Sequence, residues 1–164
     1  MSRAFVKEPD GDTPDELPEL PLSPHPNRVT ARGLAQLQQR LAEATRQLQD
    51  PATGAHERAL TARDARWLQQ RIASASVVQP SPCGNAAGFG TCVTFVDEAG
   101  TQQRYRIVGE DEADPLQGRV SWVSPLARAL EGAQVGDLVH WPRPAGVSEI
   151  EVLVIDNAPE TAHD

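Results

Sequence analysis

The stretch GEDEADPLQGRVSWVSPLARAL, Gly109 to Leu130, decides how this chain folds. An acidic turn (Glu110-Asp111-Glu112, with Asp114) leads into a short strand, 119–123, and then into a helix opened by Ser124-Pro125. Serine in the N-cap position accepts a hydrogen bond from the first turn, and proline at the first helical position gives up an N–H that has no helical partner anyway. The helix, Leu126 to Glu131, is closed by Gly132. Turn, strand and helix follow one another with almost no spacer, the signature of a small domain.

Working outward, the same alternation of short strands and turn residues continues on both sides. Strands are expected at 89–96 (FGTCVTFV) and 102–108 (QQRYRIV), then at 138–142 (LVHWP) and 149–155 (EIEVLVI) after the Val135-Gly136-Asp137 turn. Five strands with one inserted helix describe a curved antiparallel sheet packed on a helix. Upstream, the period changes. Thr30 can cap a helix in which Leu34, Leu37, Leu41, Ala44 and Leu48 recur at three- and four-residue steps. Asp50-Pro51-Ala52-Thr53-Gly54 stops it, and a second helix is expected from Ala55 to Ser76 with Leu60, Leu68, Ile72 and Ala75 as its stripe. Two helices of similar length on a short turn form an antiparallel hairpin, or coiled coil. Its tip, where Thr61, Ala62 and Ala65 offer little to pack, is expected to fray more than its base.

The fold class is therefore α+β, and the expected organisation is a disordered leader 1–27, the hairpin 28–78, a linker 79–87, the β domain 88–157 and a disordered tail 158–164. The leader holds six prolines and almost no β-branched residues, a composition that buries too little surface to order itself. With 164 residues and only 4% aromatics, the core must be aliphatic. The net charge of −8 is unevenly spread: −3 over residues 1–28, +3 over 29–90 and −8 over 91–164. A mildly basic hairpin whose cations are all arginine is weak support for nucleic-acid binding, which needs clustered phosphate contacts and would fall steeply with salt. Cys83 and Cys92 are separated by eight intervening residues, without a second pair or a nearby His, so reduced thiols are expected rather than a metal or redox site. The four His are isolated and no Ser-His-Asp or Cys-His arrangement is present. No cofactor, no metal and no catalytic residue follow, and the acidic run 110–114 reads as a solvated turn. Without an apolar run of membrane length, a cytoplasmic location is expected.

The residues Tyr105-Arg106-Ile107-Val108-Gly109, Asp111-Glu112-Ala113-Asp114, Ser124-Pro125-Leu126-Ala127-Arg128-Ala129-Leu130, Val135-Gly136-Asp137 and Pro144-Ala145-Gly146 together resemble the GreA/GreB family of bacterial transcription elongation factors. The match covers about residues 88–156, and Thr30-Ala31-Arg32-Gly33-Leu34 resembles the opening of the family's first helix. The resemblance implies an FKBP-like C-terminal domain that docks at the rim of the RNA polymerase secondary channel, with the hairpin pointing down it. It makes Ser124, Pro125, Leu126 and Arg128 the expected polymerase contacts, on an exposed element, of a chain expected to be monomeric.

In the family, tip acids in an Asp-x-x-Glu-Asn pattern help hold a second magnesium ion at the polymerase active centre. Here Asp50 is followed at the third position by Thr53, and Asp50 and Glu57 lie on opposite sides of the turn. The hairpin is also shorter than the family's. The expected function is a polymerase-binding regulator, not itself an enzyme, that does not stimulate transcript cleavage. Alternatives are a cleavage-competent elongation factor, a regulator like the shorter relative Rnk, or a peptidyl-prolyl isomerase, which would need an aromatic-lined apolar pocket.

Overall fold

The computed structural model describes residues 17–80 and 84–158. The expected leader up to residue 16, Cys83 with the middle of the expected linker, and the tail beyond residue 158 lie outside the described residues. From residue 17 the described residues run without regular secondary structure to a two-residue strand β1 (Arg28–Val29), then form helix α1 (Ala31–Gln49) and helix α2 (Ala55–Ala73). A second short strand, β2 (Ser76–Val77), lies parallel to β1, with Ser76 N–H donating to the Asn27 carbonyl at 2.9 Å.

The helices begin and end where local chemistry dictates. Thr30 caps α1 by accepting from the Gly33 N–H at 2.9 Å, and Asp50-Pro51 ends it. Leu37 and Leu68 form the seam with Val29, and Leu34, Leu41, Trp67, Ile72 and Ala75 pack around them. Nearer the turn the seam continues through Thr61 and Ala65, both buried, because small side chains let the helices approach. The tip carries side-chain hydrogen bonds of its own. The Arg58 guanidinium donates to the carbonyls of Leu48 at 2.5 Å, Asp50 at 3.0 Å and Thr53 at 3.3 Å. It thereby satisfies acceptors that the end of α1 leaves without partners.

The β domain is a five-stranded sheet in the order β5-β4-β3-β7-β6, from β3 (Cys92–Asp97), β4 (Gln102–Val108), β5 (Arg119–Ser121), β6 (Leu138–Arg143) and β7 (Gly146–Asp156). The expected α+β architecture is present, with one refinement: β5 pairs parallel to β4, through Arg106–Arg119, Ile107–Val120 and Val108–Ser121. Two 3₁₀ turns, Glu110–Glu112 and Pro115–Gln117, carry the chain back to the starting edge. A hairpin turn would have made the pair antiparallel; this longer excursion makes it parallel. Helix α3 (Pro125–Leu130) lies on the sheet, and Leu126, Ala127 and Leu130 complete a core of Val93, Phe95, Ile107, Ile150 and Val152. Pro142 sits in β6, an edge strand, where its missing N–H matters least.

Residues 17–27, expected to be disordered, are instead laid along the hairpin. The Asn27 side chain donates to the Arg71 carbonyl at 2.6 Å, the Trp67 indole to the Pro21 carbonyl at 3.1 Å, and Arg66 to Glu19 at 2.6 Å. Composition overlooked these partners because they are supplied by α2 and not by the segment itself. The flanks of the expected linker are also tied to the β domain: the Ala87 N–H donates to the Ala133 carbonyl at 2.7 Å, and Ala87 is buried. Replacing Arg58 by Ala removes three hydrogen bonds from a charged donor. Amide exchange over residues 48–56 is expected to speed up by an amount corresponding to about 1–2 kcal/mol of local stability, with the exchange of β3 and β7 unchanged.

Candidate functional site

Three regions carry functional expectations: the Ser-Pro helix, the hairpin tip and the acidic turn. The turn comes first, because it determines where the other two lie.

Gly109 and the 3₁₀ turn after it press against the entrance of the hairpin. A Cβ on Gly109 would come within 2.5 Å of the Arg28 carbonyl oxygen, so only glycine permits this approach of two backbones. Each of the next three acids takes a partner from the hairpin side. Glu110 accepts from the Ser23 hydroxyl at 3.0 Å, and Asp111 pairs with the Arg71 Nε at 2.6 Å. Glu112 is 6% exposed. One oxygen accepts from the Thr30 hydroxyl at 2.5 Å, and the other lies 3.4 Å from Arg119 and 3.9 Å from Arg32.

The expectation of a solvated acidic turn is therefore overturned: the turn is the clasp between hairpin and β domain. The Thr30 hydroxyl relays the contact, accepting from the Gly33 N–H while donating to Glu112. This places the buried carboxylate at the N-terminus of α1, where the helix dipole favours negative charge. Gly33 also makes room, since a Cβ there would meet a Glu112 carboxylate oxygen at 2.7 Å. The two quoted stretches Thr30–Leu34 and Gly109–Asp114 are thus two halves of one contact. Trp122 adds an apolar element, with the Arg28 guanidinium 4.7 Å from its ring centre and His25 at its edge.

From this clasp the chain passes through β5 to α3. Ser124 caps α3 by accepting from the Ala127 N–H at 3.2 Å, and the Ser124 N–H itself donates to the Ser121 carbonyl at 2.9 Å. Pro125 and Arg128 are exposed and Ser124 is half-buried. Leu126, expected as a surface contact, is only 3% exposed and belongs to the core. In a six-residue helix lying on a sheet, positions two, three and six face inward, and Leu126 is the second. The surface that remains is Ser124, Pro125 and Arg128.

At the tip, both acids are engaged within the turn. Asp50 Oδ1 accepts from the Ala52 N–H at 2.8 Å, closing the turn, and Glu57 accepts from the Gln47 amide at 2.5 Å. Gln47 in turn accepts from the Thr61 hydroxyl at 3.1 Å. Among the described residues no group of three or more His, Cys, Asp or Glu is placed to hold a metal ion. Nineteen residues of α1 put the tip about 28 Å from the clasp. The α3 helix packs on β5 and β6, whereas the tip lies at the far end of α1 from the clasp, so the two are separate regions. The isomerase alternative requires an aromatic-lined pocket, but Phe95, Tyr105 and Trp141 pack on one another, with ring centres about 6 Å apart. Among the described residues no helix is long and apolar enough to cross a membrane.

Residues 81–157 match the family model described as transcription elongation factor, GreA/GreB, C-terminal. Transcription elongation factor GreA of Alkalilimnicola ehrlichii is 48% identical over 85 residues, covering 49% of this chain and 53% of that protein. GreA of Beijerinckia indica is 49% identical over 71 residues, covering 43% and 45%. The chain thus spans about half the length of the curated relatives it matches. Among solved structures, the GreA factor homolog 1 (Gfh1) protein of Thermus thermophilus aligns with a TM-score of 0.40 at 27% identity, over 78% of this chain and 97% of that one.

The clasp makes two substitutions informative. Glu112→Gln keeps the shape but leaves two arginines facing a neutral group, and should lower the unfolding free energy by about 2–3 kcal/mol. Gly109→Ala sets a methyl against the Arg28 carbonyl and should cost about 1–3 kcal/mol. Urea denaturation measures both. A change below about 0.5 kcal/mol in both variants, the scatter of surface substitutions, would place the clasp among the solvated surface contacts.

Proposed function

We propose, with residues 81–157 belonging to the GreA/GreB family as the premise, that this chain is a transcription elongation factor of GreA/GreB type that binds RNA polymerase at its secondary channel and does not stimulate transcript cleavage. The β domain anchors it through Ser124, Pro125 and Arg128, and the hairpin enters the channel. Acting as a monomer in the cytoplasm, it competes there with longer factors and catalyses nothing itself.

The observation that carries this reading is the state of the tip carboxylates. A hard divalent cation at a phosphoryl-transfer centre needs carboxylate oxygens converging on it from short range. Asp50 Oδ1 is committed to the backbone of its own turn and Glu57 to Gln47, on opposite flanks, and the Arg58 guanidinium reaches the same turn, donating to the Asp50 and Thr53 carbonyls. A guanidinium at that place disfavours a second cation, because like charges repel strongly at such distances. The clasp supports the rest of the reading: a hairpin held rigidly on its anchor enters a channel at one fixed angle and reaches one fixed depth.

The test is a halted, backtracked transcription complex assembled from purified polymerase, with and without the protein and in competition with a cleavage-competent factor. The protein alone is expected to leave the RNA intact and, in excess, to slow cleavage by the competitor. Pro125→Glu places a charge on the exposed start of α3 and should weaken polymerase binding about tenfold or more. Asp50→Ala should leave both binding and RNA integrity as they are. RNA shortening by the native chain that Asp50→Ala abolishes would refute the account of the tip.

A further inference from the structure

The N-terminal segment has a pattern that the function above does not use. Between residues 17 and 24, cover by the rest of the protein repeats every third position: Leu17, Leu20 and Ser23 are partly buried, and Pro18, Glu19, Pro21, Leu22 and Pro24 are exposed. Three residues per turn is the period of a polyproline II helix, which makes no internal hydrogen bonds. Among the described residues no backbone hydrogen bond joins two members of this stretch. Prolines at 18, 21 and 24 each fix φ near the polyproline value and stand on an outward edge, so they stiffen the segment while Leu17 and Leu20 stay partly covered.

The surface beneath is suited to such a segment. Trp67 is half-exposed, and its indole N–H donates to the Pro21 carbonyl at 3.1 Å. The guanidinium groups of Arg40 and Arg71 each lie 5.8 Å from the Trp67 ring centre and hold the ring in place. Two nitrogens of Arg66 reach Glu19 Oε1, at 2.9 and 2.6 Å. That hydrogen bond, outweighing desolvation, holds the Glu19 carboxyl below its ordinary range. An aromatic donor that reads a main-chain carbonyl, with a charged pair beside it that sets direction and register, is the general chemistry by which proline-rich ligands are recognised.

We propose that the α2 face centred on Trp67 and Arg66 is a peptide-recognition site for an acidic, proline-stiffened extended segment, filled in cis by residues 17–24. The polar contacts are few and open to solvent, so each is individually weak. The site is occupied because the segment is tethered to it, at an effective concentration in the millimolar range. A segment of the same chemistry supplied in trans, with a carboxylate for Arg66 and a main-chain carbonyl for Trp67, competes for this face.

The full chain carries the test. Its three tryptophan indole N–H signals, resolved by ¹⁵N–¹H NMR and assigned by substitution, report the site separately from the fold. Glu19→Arg combined with Leu20→Ser reverses the ion pair and removes one inward side chain. This variant should move the Trp67 signal to a solvent-exposed position and leave that of Trp141 in place. A synthetic peptide of residues 17–26 should restore the Trp67 signal. A peptide of the same composition that lacks the three-residue leucine spacing should bind at least about tenfold more weakly. Arg66→Glu in the otherwise native chain gives a second release, restored by a peptide carrying Arg at the Glu19 position. A Trp67 signal unmoved in both variants, or restored equally by the two peptides, or restored by neither, overturns the proposal.

Discussion

A carboxylate that is 6% exposed, held between the start of one helix and two arginines, is the constraint on which the rest of this molecule depends. Removing Glu112 from water is costly unless its lone pairs are occupied and its charge is met. The Thr30 hydroxyl, the Arg32 and Arg119 guanidinium groups and the dipole of α1 meet that requirement, and they come from both domains. Separating hairpin and sheet breaks the Thr30 and Arg32 contacts of Glu112. Asp111–Arg71 and Glu110–Ser23 repeat the contact on either side.

This arrangement joins two modules that the sequence reads separately. Each has its own core: Val29, Leu37 and Leu68 in the hairpin, and the cluster around Phe95, Ile107 and Ile150 in the sheet. Neither core extends into the other. The joint is polar, and it is specific because polar groups must be matched in position as well as in type. An apolar joint of the same size would tolerate rotation; this one fixes a register, with Gly109 and Gly33 admitting the approach that the register requires.

What could be read from the residues, and what could not, divides along the same line. Helical period, the Thr30 and Ser124 caps, the Asp50-Pro51 stop and the strand positions are local signals, and each element lies close to its expected place. The resemblance to the GreA/GreB family rested on stretches whose joint role was invisible: nothing in sequence order says that Thr30 and Glu112 touch across 82 residues. A run of acids is ordinarily solvated; here the hydroxyls of Ser23 and Thr30 and the arginines of α1, α2 and β5 meet it. Leu126 was misplaced because the Ser-Pro opening tells where a helix starts and not which side it buries. The extended segment 17–27 was misjudged because composition measures what a segment can bury in itself. The parallel pairing of β5 escaped notice because the two 3₁₀ turns that allow it leave a weak trace in the sequence.

The pairing of β1 with β2 has a consequence for how such a chain can vary. The backbone enters α1 and leaves α2 through adjacent parallel strands, with Arg28 beside Ser76 and Val29 beside Val77. The hairpin is thus a closed excursion whose two ends meet at a fixed point. Turns inserted into or deleted from both helices near the tip leave that point, and the domain fixed to it, where they are. Length is then a free parameter of the architecture, changing in steps of about 5.4 Å per helical turn, while the anchor stays constant. One scaffold of this kind can yield a series of probes of graded length, and what each probe does is decided by the few residues that form its turn.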